Sequence, residues 1–202
     1  MKYASLLALL ACASFVCAGQ TQSGSSGDSK CSLTRAEAPE IRGIRLGMTP
    51  QQLMALFPED GNQQKIGEAI RQSKRVDAYG YSRLTLQADT PNSNPRFTGV
   101  NYIAVDFLDE RVTFYHVAYN GPEWKTVRQF VGKLTEAFHL PSSSWTGDDQ
   151  DQQMKCDGFI INASASSGTI GSRVEVRDPS VPQVIRDRRE VVKDKERQAF
   201  RP

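Results

Sequence analysis

This chain lacks the residues and motifs from which most recognisable catalytic sites are built. Its 202 residues include only two histidines, His116 and His139, and neither has Cys, Asp or Glu at metal-ligand spacing. The sequence contains no P-loop, no dinucleotide-binding glycine fingerprint and no G-x-S-x-G nucleophile elbow. We therefore expect a protein that is not an enzyme, with no catalytic residues, no metal site and no cofactor. A hydrolase built around one of the histidines stays as a remote alternative.

An excess of charge of one sign is also missing. The formal net charge is only +2, which gives no strong field for attracting nucleic acid, so no nucleic-acid partner is expected. No apolar run reaches the length of about 20 residues that a membrane-spanning helix needs.

The apolar run that does exist lies at the N-terminus and is typical of an export signal. Lys2 supplies a positive start, residues 4–16 are apolar or small, and the small residues before Gly19 suit cleavage between Ala18 and Gly19. We predict that residues 1–18 form a signal peptide and that the protein is periplasmic or secreted. Two alternatives are an uncleaved membrane anchor and a lipoprotein acylated at Cys12, which ends a Leu-Leu-Ala-Cys sequence.

Cysteine is scarce, and export would make it scarcer. The chain has four cysteines, and two of them leave with the signal peptide. An even pair in an oxidising compartment favours a disulfide, so we predict a bridge between Cys31 and Cys156. The alternative is a pair of free, buried thiols.

Composition divides the remainder of the chain into three parts. Residues 19–30 are rich in Gly, Ser and Gln, which is typical of a flexible linker. Residues 31–180 carry the apolar periodicity of a folded domain, and residues 181–202 form a charged tail with a helical pattern.

The densest local signal is a helix start within residues 41–57. Thr49 is a favourable N-cap, Pro50 suits the first helical position, and Gln52 completes a capping box. Met48 and Leu53 have the spacing of a hydrophobic staple, and Gly47 is free to adopt positive φ. The predicted helix runs from Pro50 to about Phe57.

Alternating and helical periodicities predict the other elements. Strands are expected at residues 81–87, 101–108, 112–119, 154–163 and 173–177, and a second helix at residues 122–138. Val112 is expected to share a strand face with Phe114, His116 and Ala118, and residues 142–150 are expected to form a polar loop. This order predicts an α+β fold with helices packed on one face of an antiparallel sheet of about five strands, plus a C-terminal charged helix.

Two groups of residues are candidates for binding a partner. Trp145, Tyr115 and Tyr119 are aromatic residues of the kind that dominate protein interfaces, although the same residues could instead cover the edges of the core. Arg188 and Arg189 lie in the charged tail, which could make a weak contact with a membrane surface or a partner. A solvated helix is the alternative for the tail.

Residues 41–57 also resemble a known family. Ile44, Gly47, Met48, Thr49, Gln52 and Leu53 fit the I-x-x-G-M-T-x-x-Q-[VL] signature of envelope proteins of the SmpA/OmlA type. These are outer-membrane lipoproteins that assist β-barrel assembly, and they are similar in fold to the β-lactamase-inhibitor protein. The resemblance implies two helices followed by an antiparallel sheet, and a role in binding proteins rather than in catalysis.

The sequence thus predicts an exported, non-catalytic module of the bacterial cell envelope that binds another protein. The resemblance is carried over for fold and compartment, and not for the barrel-assembly function. The alternative is a secreted inhibitor-like or small-ligand-binding protein that uses the exposed face of the sheet.

Overall fold

The computed structural model describes residues 30–57, 67–68, 71, 77–87, 94–121, 124–165 and 171–200. The predicted signal peptide, its Ala18–Gly19 cleavage site and nearly all of the predicted linker lie outside the described residues. Within them the chain has an α+β fold, with an antiparallel sheet followed by a C-terminal helix, which confirms the predicted class.

The main elements of the described part of the chain include three α-helices and seven strands. The helices are α1 (Pro50–Met54), α2 (Val127–Phe138) and α3 (Val181–Ala199). The strands are β1 (Tyr81–Gln87), β2 (Val100–Leu108), β3 (Arg111–Tyr119), β4 (Trp145–Gly147), β5 (Asp151–Lys155), β6 (Ile160–Ser164) and β7 (Arg173–Arg177). They form one sheet in the order β1-β2-β3-β7-β6-β5-β4, and every neighbouring pair is antiparallel.

The expectation of about five strands was wrong, because two strands lie in polar sequence. β4 occupies part of the predicted polar loop at residues 142–150. The segment at residues 154–163 is two strands, β5 and β6, joined by a tight turn after Cys156. β5 reads DQQMK and has only one apolar residue, so hydrophobic alternation does not reveal it.

The core lies on one face of the sheet. Buried strand residues of this face belong to a single cluster, which includes Leu84, Ile103, Val105, Tyr115, Val117, Met154, Ile161, Val174 and Val176. Leu53 of α1 and the stripe Val127, Phe130, Val131 and Leu134 of α2 belong to the same cluster. α3 contributes no buried residue to it.

A bulge in β3 changes which side chains share a face. Asp106 pairs with Phe114 but Phe107 pairs with Val112, so Thr113 is an extra residue. Val112 therefore turns into the core with Tyr115 and Val117, contrary to the expectation that it would share a face with Phe114.

The predicted helix start is present in full. The Thr49 amide donates to Gln52 Oε1 at 2.9 Å, the Gln52 amide donates to Thr49 Oγ1 at 3.1 Å, and Gly47 has φ of 83°. Met48 and Leu53 are both buried in the core. The α-helix ends at Met54 rather than near Phe57, because the next turn is closed by tighter i→i−3 bonds such as Phe57 N to Met54 O.

α2 begins later than predicted. Thr126 is its N-cap, so Trp124 precedes the helix instead of forming its first apolar position, and the predicted start at Pro122 lies outside the described residues. The helix ends at Phe138, where His139 adopts the left-handed conformation with φ of 52°.

The predicted disulfide is confirmed. Cys31 and Cys156 are bonded across a sequence separation of 125 residues, and both are buried. The bond ties the start of the described domain to the residue that follows β5.

Candidate functional site

The sheet face opposite the core carries mostly polar side chains in three rows that run across six strands. We call it the polar face. The middle row is Thr85, Ala104, His116, Glu175, Asn162 and Gln153. The two flanking rows are Arg83, Asp106, Phe114, Arg177, Ile160 and Lys155, and Gln87, Tyr102, Ala118, Arg173, Ser164 and Asp151.

The β1–β3 half of this face holds what we call the aromatic patch, made of Tyr81, Arg83 and Phe114 around Asp106, with Tyr102 further along β2. Tyr81, Tyr102 and Phe114 are half-buried, and Arg83 is exposed. The Arg83 guanidinium lies 6.0 Å from the centroid of the Phe114 ring, within cation–π range. The patch therefore presents aromatic and cationic surface together.

Buried Asp106 organises this patch. Its Oδ1 accepts from Arg83 Nε at 2.6 Å, and its Oδ2 accepts from Arg83 Nη2 at 2.8 Å and from the Tyr81 hydroxyl at 2.6 Å. Burial, followed by the hydrogen bond to Asp106, raises the pKa of Tyr81 to about 12, so its phenol stays neutral at physiological pH. The hydrogen bond to Asp106 also raises the pKa of Arg83.

An imidazole–carboxylate pair occupies the centre of the middle row. His116 Nδ1 lies 3.4 Å from Glu175 Oε1, and the His116 ring packs against Tyr102 with centroids 4.9 Å apart. Hydrogen bonding to His116 is the largest of the causes that lower the pKa of the Glu175 carboxyl. His116 Nε2 is buried with no hydrogen-bond partner in the described part of the chain.

The β4–β7 half of the polar face is lined by amides and hydroxyls. Gln153 Nε2 donates to Asn162 Oδ1 at 2.6 Å, and Asn162 Nδ2 donates to Glu175 Oε2 at 3.5 Å. In the flanking row Arg173 Nε donates to Ser164 Oγ at 2.5 Å. A hollow of about 450 Å³ opens over these side chains.

The aromatics proposed from sequence as partner contacts belong to the core side. Tyr115 is fully buried, and its hydroxyl donates to Pro39 O at 2.5 Å. Half-buried Tyr119 packs edge-on to Phe130. Trp145 is half-buried and its indole donates to Thr135 of α2 at 3.0 Å. Tyr115 therefore has no surface to offer a partner, whereas Tyr119 and Trp145 pack against the core, as in the alternative expected from the sequence.

The two tail arginines contact the body of the protein. Arg188 Nη1 and Nη2 donate to the Asp109 carboxylate at 2.7 and 2.5 Å, and Nη1 also donates to Tyr79 O at 2.7 Å. The Arg189 guanidinium lies 5.5 Å from the Tyr79 ring centroid. Both residues thus attach α3 to the loops that flank β1 and β2, a role that the sequence did not indicate.

The binding candidates predicted from the sequence did not include Tyr102, Phe114, Arg83 or Asp106. Alternation in β2 places Tyr102 and Asp106 on the face of the strand that does not carry Ile103 and Val105. This pattern could have identified both residues from the sequence. Phe114 alternates with buried Tyr115 and shares a face with His116, so the same pattern applies to it, and the bulge changes only the side on which Val112 lies.

Fold and site together define an α+β protein whose antiparallel sheet keeps a polar face opposite its core. Among the described residues, no three His, Cys, Asp or Glu side chains are grouped closely enough to hold a metal ion. None of the helices described is long and apolar enough to cross a membrane. No protein-family model, no curated protein and no solved structure matches the chain.

Proposed function

We propose that this chain is an exported, non-catalytic protein-binding module of the cell envelope, and that the aromatic patch is its binding surface. The patch is the observation that carries the proposal. Tyrosine and arginine are among the residues most enriched at binding hot spots, and aromatic residues in general are enriched at interfaces. The Phe114 ring lies within cation–π range of the Arg83 guanidinium, and Tyr81 shares the Asp106 carboxylate with it. Tyr102 lies on the same face of the sheet, in the opposite flanking row.

The patch is held in place before any partner arrives. Both oxygens of Asp106 accept hydrogen bonds from Arg83 or Tyr81, so these side chains lose little conformational freedom on binding. The same bonds engage the carboxylate that would otherwise be the nearest candidate for acid–base chemistry. Helices α1 and α2 pack into the core on the opposite face, so neither of these two helices covers the patch.

Two further observations support the compartment. The Cys31–Cys156 disulfide fits an oxidising environment outside the cytoplasm. The Gly47-Met48-Thr49 helix start resembles that of SmpA/OmlA-type envelope proteins, which bind other proteins.

Photo-crosslinking from the patch tests the proposal. A photoreactive phenylalanine analogue replaces Phe114 in the full chain, expressed in its native envelope, and crosslinked products are identified by mass spectrometry. We expect one reproducible protein adduct. The matched control places the analogue at exposed Arg128 on α2, where the same adduct should be absent. Equal adducts from both positions, or none from Phe114, would argue against the patch.

Export is tested separately by intact-mass measurement of the protein recovered from cells. The proposal expects an unmodified N-terminus at Gly19. A mass that retains residues 1–18 would refute export with cleavage. A diacylglyceryl adduct on Cys12 would show that the protein is an anchored lipoprotein rather than a free module.

A small-ligand-binding role is the second candidate. The hollow over the β4–β7 half of the polar face favours it, because it is separate from the aromatic patch and lies within the roughly 300–1,000 Å³ range of ligand pockets.

A further inference from the structure

Two adjoining hollows form one elongated cleft on the β4–β7 side of the protein. The first, of about 450 Å³, lies over Gln153, Asn162 and Glu175. The second, of about 670 Å³, reaches Trp124 and Thr126 at the start of α2. Both are lined by Asp151, Ser164 and Arg173, so these three residues form the junction of what we call the long cleft.

Hydrogen bonds hold the side chains of the long-cleft floor together, and these side chains can both donate and accept hydrogen bonds. Gln153, Asn162 and Glu175 are hydrogen-bonded to one another across three neighbouring strands, and Arg173 is bonded to Ser164 on the strand beside it. Amides and hydroxyls both donate and accept. A ligand meeting this floor must therefore offer both kinds of group, closely and regularly spaced.

The charges of the long cleft exclude a strongly ionic ligand. Its lining combines three carboxylates and two cations, namely Asp149, Asp151 and Glu175 with Arg173 and Lys125. Charges of both signs line the cleft, so neither a phosphate nor a bare metal cation meets a lining of one sign. Alcohols fit better, because each hydroxyl donates one hydrogen bond and accepts others.

Trp124 adds an apolar surface at one end. It is half-buried and rests against Phe130 with ring centroids 6.0 Å apart, so its position is fixed by the core. An indole has a large apolar face with little conformational freedom to lose, which suits the C–H face of a sugar ring.

We propose that the long cleft binds a linear saccharide, with sugar hydroxyls on the Gln153–Asn162–Glu175 floor and a second ring against Trp124. Because the floor and Trp124 line two separate, adjoining hollows, the ligand is a chain of sugars rather than a single one. This inference does not rest on a protein partner, because the aromatic patch lies on the other half of the sheet.

Isothermal titration calorimetry of the full-length mature protein tests this with four probes: cellotetraose, chitotetraose, glucose and N-acetylglucosamine. We expect one tetrasaccharide to bind with a Kd between about 10 µM and 1 mM, and at least tenfold more tightly than its own monosaccharide. Arg173→Gln should weaken that binding about tenfold, because a charged hydrogen bond is lost. Arg173 is exposed, so this variant should fold.

Asn162→Ala is the second variant and should weaken binding similarly, with far-ultraviolet circular dichroism confirming its fold. Thr85→Ala is the matched control, since Thr85 lies in the same middle row but on β1, and it should bind like the wild type. No heat from either tetrasaccharide at about 10 mM would overturn the proposal. The proposal would also be overturned if Arg173→Gln and Asn162→Ala bound the tetrasaccharide as tightly as the wild type. Binding of inorganic phosphate, with no heat from either tetrasaccharide, would overturn it as well.

Discussion

At the scale of single residues, the most unusual feature is the buried imidazole in the middle of the sheet. His116 is only 7% exposed, bonds to Glu175 through Nδ1, and leaves Nε2 without a partner among the described residues. A buried polar group that makes no hydrogen bond costs about 1–3 kcal/mol. The position is therefore suboptimal for stability and lies between the two candidate binding surfaces.

Glu175 should make the stability of the protein depend on acid pH. Because its pKa is lowered from 4.5, chiefly by the bond from His116, the carboxylate stabilises the folded state above the unfolded pKa. That contribution is lost as the pH falls through the lowered folded value. We expect Glu175→Gln to reduce the free energy of unfolding at pH 7 and the difference from the wild type to shrink below about pH 4.5.

Urea unfolding at a series of pH values measures this. The control is the same substitution in a His116→Asn background, where the pH dependence of the difference should be smaller because the largest cause of the shift is gone. A difference between wild type and Glu175→Gln that stays constant from pH 7 to pH 3 would contradict the expectation.

At the scale of elements, the sequence predicted local features such as a helix start, but not which strands pair with one another. The α1 start was predictable because Thr49 and Gln52 satisfy each other within one turn. β1 was predictable because Leu84 and Leu86 alternate with polar residues. β4 and β5 were missed because their place in the sheet comes from strand pairing, of β5 with β6 and of β4 with β5. Buried Gln152 is satisfied by a bond to Asp148 O at 2.6 Å.

The candidate site was less predictable than the fold. Its rows bring together residues from strands far apart in sequence, and the order β3-β7-β6 cannot be read from local periodicity. The aromatics that looked free in the sequence are needed by the core, as Tyr115 shows by its bond to Pro39. The rings that do face outward are Tyr102 and Phe114, and they lie in strands whose largely apolar sequences are typical of the core.

α3 is an element attached by side chains rather than by burial. It has no buried residue, and Arg188 carries its best contacts with the body, to Asp109 and Tyr79. We expect Arg188→Ala to speed amide hydrogen exchange throughout α3 severalfold while the strands keep their protection, because exposed ion pairs contribute little to global stability.

Hydrogen-exchange mass spectrometry of α3 peptides is the measurement, and Arg186→Ala is the matched control. Arg186 contacts only Gln183 within the same helix among the described residues, so its removal should leave exchange nearly unchanged. Equal effects of the two substitutions would show that Arg188 does not hold α3 to the body.

At the scale of the whole molecule, the disulfide joins the start of the described domain to the turn between β5 and β6. Cys31 precedes α1 and Cys156 follows β5, and the bond encloses the chain between them. Cross-linking a loop of this length restricts the unfolded chain, for which about 2–5 kcal/mol of stabilisation is typical. Both cysteines are buried, so the bond is also part of the packed core.

Replacing both cysteines with serine should therefore lower the free energy of unfolding by about 2–5 kcal/mol, measured with guanidinium chloride. Reductant should destabilise the wild type by a similar amount and leave the double variant unaffected. Identical unfolding midpoints for the oxidised and reduced wild type would show that the bond contributes nothing to stability.

The most direct test of the protein-binding proposal is the affinity of the purified mature protein for the partner captured from Phe114. The account predicts that Phe114→Ala weakens this affinity at least about tenfold, because truncating a hot-spot residue costs upward of about 2 kcal/mol. Arg128→Ala, exposed on α2, should leave it unchanged. A Phe114→Ala protein that binds the partner as tightly as the wild type would contradict the assignment of the aromatic patch as the binding surface.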